Sequence, residues 1–204
     1  MATFTAAKAG NWTAADTWDL NSSYPQASDN AVVTGYTVTM DDAVAVTNLT
    51  IGASGILTTA NFAITISGNW NQSSTSSRCN AGTSTITING NGTFTADGTL
   101  DSTQYNSATL VLNGTNTITY SNLSYVDNGF GNLTCGQSGN TTTTASHMSI
   151  MSVLTVGSGT FTGSSWIYFK GANPFVFDAN SINSSLDKFV KSKLSIFWCK
   201  SLST

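Results

Sequence analysis

The sequence predicts an all-β protein, specifically a right-handed parallel β-helix (a solenoid) with an N-terminal cap; an antiparallel β-sandwich is the alternative. Three observations point there. Apolar residues alternate with Thr, Ser and Asn in short runs, each bounded by Gly, Asn or Ser, the mark of short half-buried strands. Related runs recur with a period of about 20–25 residues, which suits solenoid coils and which a sandwich does not explain. Charged residues make up 8% of the 204-residue chain and Glu is absent, whereas about 25% is usual and exposed helix faces are normally filled with Glu, Lys and Arg.

Taken in order, residues 1–45 are the cap and first strands. Trp12 and Trp18 precede the first repeat, and two indoles there are expected to be buried against the first coil, because a solenoid end otherwise exposes its core. Ala31–Val33 and Thr37–Thr39 alternate as strands. Residues 46–178 are the solenoid repeats. Ile64-Thr65-Ile66 returns as Ile86-Thr87-Ile88, and Thr85–Gly90 returns as Thr109–Gly114. Period-2 alternation predicts Ile64, Ile66, Ile86, Ile88, Leu110 and Leu112 inward, with Thr65, Thr87 and Val111 on the opposite face. Asn48–Gly55 matches the more distant Asn132–Gly139 at six of eight positions and reads as a further repeat of the coil. Thr117–Tyr120, Val153–Val156, Trp166–Phe169 and Pro174–Phe177 continue the strands. Asn and Gly are expected at the corners, where left-handed backbone is needed. Residues 179–204 hold Lys188, Lys191, Lys193 and Lys200; the spacing of Leu186, Phe189, Val190 and Leu194 fits a cap helix, and a truncated end is the other reading.

Composition excludes several functions. A net charge of -3 and a pI near 4.7 lack the basic footprint of nucleic-acid binding. No apolar run approaches the roughly 18 residues of a membrane helix. Met1–Thr5 opens without a charged n-region and apolar h-region, so no Sec leader is expected at this start. Cys79, Cys135 and Cys199 form no CxxC pair, so neither a zinc site nor a disulfide framework is expected. Cys135 reads as a small core residue, and Cys79, between Arg78 and Asn80, as exposed and free.

Residues with catalytic potential are few. His147 has no nucleophile-elbow sequence to serve and reads as an isolated strand or turn histidine. Asp41-Asp42 and Asp97/Asp101 are the carboxylate pairs weighed for catalysis, and both sit in turn contexts where Asp is ordinary. Asn89-Gly90-Asn91-Gly92 lacks the Lys-Ser/Thr of a phosphate loop and reads as a turn. Of the sequons at Asn11, Asn48, Asn91, Asn113 and Asn132, many are expected by chance in a chain so rich in Asn, Ser and Thr, and glycosylation stays open. No cofactor and no metal is expected.

Gly10-x-Trp12, Thr17-Trp18, Pro25, Asp29-x-Ala31-Val32, Gly35-x-x-Val38-x-x-Asp41 and then Asn48–Ile51 form an opening that resembles G8-like and pectin-lyase-like β-helix proteins of bacterial surfaces and phage virions. Gly131–Thr134 and Val153–Phe161 look like adhesin-type repeats of the same proteins, so that the resemblance spans roughly residues 10 to 177. It implies a structural or adhesive role. Enzymes of the pectin-lyase-like group carry acidic clusters with a basic residue, a pattern this chain lacks, so no catalytic residue is carried over.

The resulting expectation is a non-enzymatic virion component, such as a tail fibre, spike or head-decoration protein, located on the virion or extracellular surface. A bacterial surface or biofilm adhesin and a carbohydrate-active β-helix enzyme are the alternatives. Expected partners are further copies of the chain, other virion or surface subunits, and cell-surface carbohydrate, with no nucleic acid and no membrane span. Tyr36, Tyr105, Tyr120, Tyr125 and Tyr168 are the candidate binding rings, set against their plainer reading as strand aromatics. Thr-x-Thr pairs at Thr37/Thr39, Thr85/Thr87 and Thr117/Thr119 raise ice binding, and read more simply as solvent-facing strand threonines.

Overall fold

The computed structural model describes residues 1–72, 74, 76–96, 105–120, 129–144, 148–163, 167–169, 176–177 and 189–191. Every strand pairing in it is parallel, so the chain is a parallel β-solenoid and the sandwich alternative falls. The strands form three sheets of eight, four and nine strands, the nine including Val176–Phe177, which pairs with Met148–Val156 off the main path. Within a coil the chain visits them in turn. Asn48–Ile51 lies in the eight-stranded sheet, Ile56–Thr58 in the four-stranded sheet and Ile64–Ile66 in the nine-stranded sheet. The next coil repeats the order with Trp70–Gln72, Arg78–Asn80 and Thr85–Ile88.

Alternation decides which side chains meet. Ile64, Ile86 and Leu110 stack in one inward column, as do Ile66, Ile88 and Leu112, and all six are fully buried. Thr65, Thr87 and Val111 form the adjacent outward column and are half-buried. Each aliphatic side chain so enclosed stabilises the fold by roughly 1.5–3 kcal/mol. The steps from Ile64 to Ile86 and from Thr85 to Thr109 are therefore real coil lengths. The match of Asn48–Gly55 to Asn132–Gly139 is not a coil repeat: Asn48–Ile51 belongs to the eight-stranded sheet and Asn132–Cys135 to the nine-stranded one. It reflects a shared strand-and-turn chemistry on two different faces.

The interior of the eight-stranded sheet is aromatic. Trp70 stacks on Phe94 with centroids 5.4 Å apart, and Phe130 meets the edge of Phe94 at 5.3 Å. Such pairs add about 0.5–1.5 kcal/mol beyond burial. Corners bring backbones into contact. A Cβ on Gly92 would lie 2.0 Å from the Gly68 carbonyl oxygen, and one on Gly114 would lie 2.2 Å from that of Gly90. The Asn-Gly phrases are thus corners between parallel strands, where glycine is required by the close approach of the preceding coil. Left-handed backbone occurs at Gly35, Gly82, Gly136 and Gly139, and also at Asn21, Ser54, Ala60 and Asn61.

At the N-terminus Trp12 and Trp18 are buried, as expected, with centroids 5.0 Å apart and the Trp18 indole N–H donating to the Trp12 carbonyl at 2.8 Å. Residues 17–19 run antiparallel along the free edge of the first strand, Thr3–Thr5. There Asp19 accepts the Thr5 N–H and returns its own N–H to the Thr5 carbonyl. In the C-terminal segment Phe189–Lys191 is a strand paired with Ile167–Phe169, so the helical spacing of Phe189 and Val190 is not expressed; the rest of 179–204 lies outside the described residues.

Candidate functional site

The most uniform described surface is the outer face of the eight-stranded sheet. Its outward column begins Thr3, Asn30, Asn48, Asn69, Thr93 and continues through Thr117, Thr143 and Thr162. Beside it run Thr5, Val32, Thr50, Asn71, Thr95 and Thr119. Val32 alone in these columns lacks a side-chain polar group, and none of the positions is charged or aromatic.

Its two halves are chemically distinct. In the first, an asparagine ladder crosses the coils. Asn48 donates to Asn30 Oδ1 at 2.8 Å, Asn48 Oδ1 accepts the Asn69 N–H at 2.8 Å, and Asn69 Oδ1 accepts the Thr93 N–H at 2.9 Å. In the second, threonine takes over. Among the described residues Thr95, Thr117, Thr119, Thr143 and Thr160 have no side-chain hydrogen bond within the protein, which leaves those hydroxyls to solvent.

Among the described residues the aspartates lie elsewhere. Asp16 pairs with Lys8, whose hydrogen bond holds the carboxyl below the usual range. Asp29 is lowered by the N–H groups of Ala2 and Gln26. Partial desolvation works to raise Asp41, but hydrogen bonds from the Thr13 hydroxyl and N–H, at 2.6 and 3.0 Å, outweigh it and hold the carboxyl low. Asp42 accepts the N–H of Ala43 at 2.7 Å. Asp41 and Asp42 thus sit in a turn, and Asp97, Asp101 and His147 lie outside the described residues. No group of three or more metal-binding side chains occurs among the described residues.

Of the five candidate tyrosines, Tyr36 and Tyr105 have described side chains, and the two differ in burial. Tyr36 is exposed in the turn before Thr37–Thr39. Tyr105 is buried, packed against Trp70, Phe94 and Phe130, with its hydroxyl donating to Gln72 Oε1 at 2.6 Å; it is a core residue and presents no ring to a ligand. The backbones of Tyr120 and Tyr168 lie in strands, their side chains and all of Tyr125 lying outside what is described. Cys79 also departs from expectation. It is fully buried on Leu57 in the four-stranded sheet, between outward Arg78 and Asn80, and desolvation pushes its thiol up to about 12. Cys135 is a core residue, as expected, and burial raises it likewise to about 12.

The Thr-x-Thr pairs noted in the sequence are spread over three sheets: Thr37/Thr39 in the four-stranded, Thr85/Thr87 in the nine-stranded and Thr117/Thr119 in the eight-stranded. Thr3/Thr5 opens the face of the eight-stranded sheet, and four successive strands at its other end carry Thr93/Thr95, Thr117/Thr119, Thr141/Thr143 and Thr160/Thr162. Sequence reading passed over three of these four. Setting Thr93-Phe94-Thr95, Thr117-Ile118-Thr119, Thr141-Thr142-Thr143 and Thr160-Phe161-Thr162 one beneath another would have exposed them. No family model matches the chain, and no curated protein or solved structure matches it either.

Proposed function

We propose that the protein is a non-enzymatic structural or adhesive component of a surface assembly, a phage virion part such as a tail fibre, spike or head decoration. The observation that carries this reading is the continuous uncharged Thr/Asn face, built across all eight strands of one sheet. The described aspartates support it, since each forms hydrogen bonds within the protein and lies off that face. Carboxyls held low also run counter to what a general acid needs. The opening phrases around Trp12 and Trp18 favour a G8-like or pectin-lyase-like surface repeat over a bare solenoid.

In this reading residues 1–45 hold the N-terminal cap and first strands. By occupying the free edge of Thr3–Thr5, residues 17–19 close it to strand addition, the usual hazard of an exposed edge. Assembly with further copies, with other surface subunits or with cell-surface carbohydrate then uses the lateral faces. The test is a panel of acidic and neutral polysaccharides incubated with the purified chain, alongside its mass in solution by light scattering. The reading expects no released reducing ends or unsaturated products. Turnover abolished by replacing Asp41, Asp42, Asp97 or Asp101 would overturn it in favour of an enzyme.

A further inference from the structure

We propose that the threonine half of the eight-stranded sheet binds the surface of ice. This goes beyond the surface-assembly reading and does not depend on it.

The argument begins with register. Thr93, Thr117, Thr143 and Thr162 stand one above another on four successive strands. Thr141 pairs with Thr160, and Thr115 precedes Asn116, whose partner is Thr142, so Thr115, Thr141 and Thr160 form a second column. Thr95 over Thr119 begins a third. Parallel strands set the vertical step at about 4.8 Å and alternate residues set the lateral step at about 6.6 Å. The result is a two-dimensional lattice of hydroxyls and methyls, with both steps close to repeats between water oxygens in hexagonal ice.

Side-chain chemistry suits that ligand. A β-branched side chain on a strand is stiff at χ1, so the array is fixed before binding and loses little entropy on contact. Each hydroxyl donates and accepts, as a lattice water does, and each methyl orders the water around it. Hydroxyls free of internal hydrogen bonds at Thr95, Thr117, Thr119, Thr143 and Thr160 are available to join such a lattice, whereas in the other half Asn30, Asn48 and Asn69 are bonded to one another across the coils.

Other occupants fit less well. Nucleic acid needs positive charge and an aromatic-anchored sugar or protein hot spot needs rings; the threonine half has neither, so the subunit and carbohydrate contacts of the surface-assembly reading fall to the rest of the lateral surface. The nine-stranded sheet is the internal contrast. Its outward column reads Ala45, Thr65, Thr87, Val111, Thr134, Thr155, so Ala and Val interrupt the threonines and no lattice forms.

The experiment uses the purified full chain at micromolar concentration, with Thr117→Lys and Thr143→Lys on the proposed face and Thr87→Lys on the other. Thermal melts check the fold of each variant. Wild type is expected to facet growing ice crystals and to suppress recrystallisation in frozen sucrose. Thr117→Lys and Thr143→Lys should each raise the concentration required by about tenfold or more, the cost of one misplaced charge in a matched contact, and Thr87→Lys should leave it unchanged. Fluorescently labelled wild type should also adsorb to a growing ice hemisphere, a readout that stands even where a variant fails to fold. Rounded crystals indistinguishable from an albumin control, no adsorption to the hemisphere, or equal losses from Thr87→Lys and Thr117→Lys would each overturn the proposal. The polysaccharide assay shares no readout with these, so the two readings fail separately.

Discussion

Cys79 and Asp41 show how single residues take their character from a neighbouring coil. Arg78-Cys79-Asn80 reads as polar in sequence, but alternation turns only Arg78 and Asn80 outward, and Cys79 drops onto Leu57 as a small apolar residue. Asp41 is far from Thr13 in the chain, yet its two carboxylate oxygens hold the Thr13 hydroxyl and N–H. Its folded pKa is thereby lowered, although partial desolvation opposes the shift. The sign follows from linkage. The stabilisation is complete above the ordinary Asp value of about 3.9 and is lost as pH falls through the lowered folded value. Asp29, which holds the N–H groups of Ala2 and Gln26, behaves in the same direction. Amide exchange of Ala2 and Thr13 is therefore expected to be slow at pH 6 and to accelerate only below the usual carboxylate range, relative to strand amides such as Ile86. With Asp41→Ala, Thr13 should exchange fast at every pH while Ala2 keeps its acid dependence. Equal pH profiles for Thr13 in both proteins would contradict the assignment.

Between elements, the informative unit is the ladder that ties one coil to the next. Asn48 occupies the first position of its strand and contacts two neighbours, donating to Asn30 on one side and accepting from Asn69 on the other. A net gain of about 0.5–1.5 kcal/mol per hydrogen bond is ordinary, and leaving a buried partner unsatisfied costs about 1–3 kcal/mol. Asn48→Ala is accordingly expected to destabilise the fold by roughly 1–3 kcal/mol, because it removes the acceptor of Asn69 N–H as well as the donor to Asn30. Asn71, outward on the same sheet and half-buried, has no side-chain hydrogen bond among the described residues, and Asn71→Ala should shift the denaturation midpoint far less. Similar losses from the two variants in chemical denaturation would show that the ladder contributes nothing beyond strand propensity. The same local chemistry explains the misleading match between Asn48–Gly55 and Asn132–Gly139. Asn-Leu-Thr suits any strand with a ladder residue first, a buried aliphatic second and a half-exposed threonine third, so it recurs on two sheets without marking coil phase.

For the whole molecule, coil length varies, and that decided how much of the fold was legible in advance. Along the asparagine ladder the separation in sequence is 18 from Asn30 to Asn48, 21 from Asn48 to Asn69 and 24 from Asn69 to Thr93. Strand alternation, inward aliphatics and the steps from Ile64 to Ile86 and Thr85 to Thr109 were readable, because the period-2 pattern is local and neighbouring coils there share phrasing. Which strand joins which sheet was not, because corners of different length shift the phase without altering any strand. The burial of Tyr105 was hidden for a related reason. Its partners Trp70, Phe94 and Phe130 are distant in the chain, and a polar hydroxyl conceals a core position until Gln72 is seen to accept it. The threonine lattice was likewise visible only as scattered pairs until register assembled four of them on one face. All of these claims rest on parallel stacking in a stated register, and cross-linking tests it most directly. Thr85 pairs with Thr109 and Thr87 with Val111, and a disulfide forms only where Cα atoms lie within about 7 Å. In a Cys199→Ser background, Thr85→Cys/Thr109→Cys and Thr87→Cys/Val111→Cys should oxidise readily, while Thr85→Cys/Val111→Cys and Thr87→Cys/Thr109→Cys stay reduced. Fast oxidation of the second two pairs with none in the first would mean antiparallel strands, and would contradict the solenoid and every face built on it.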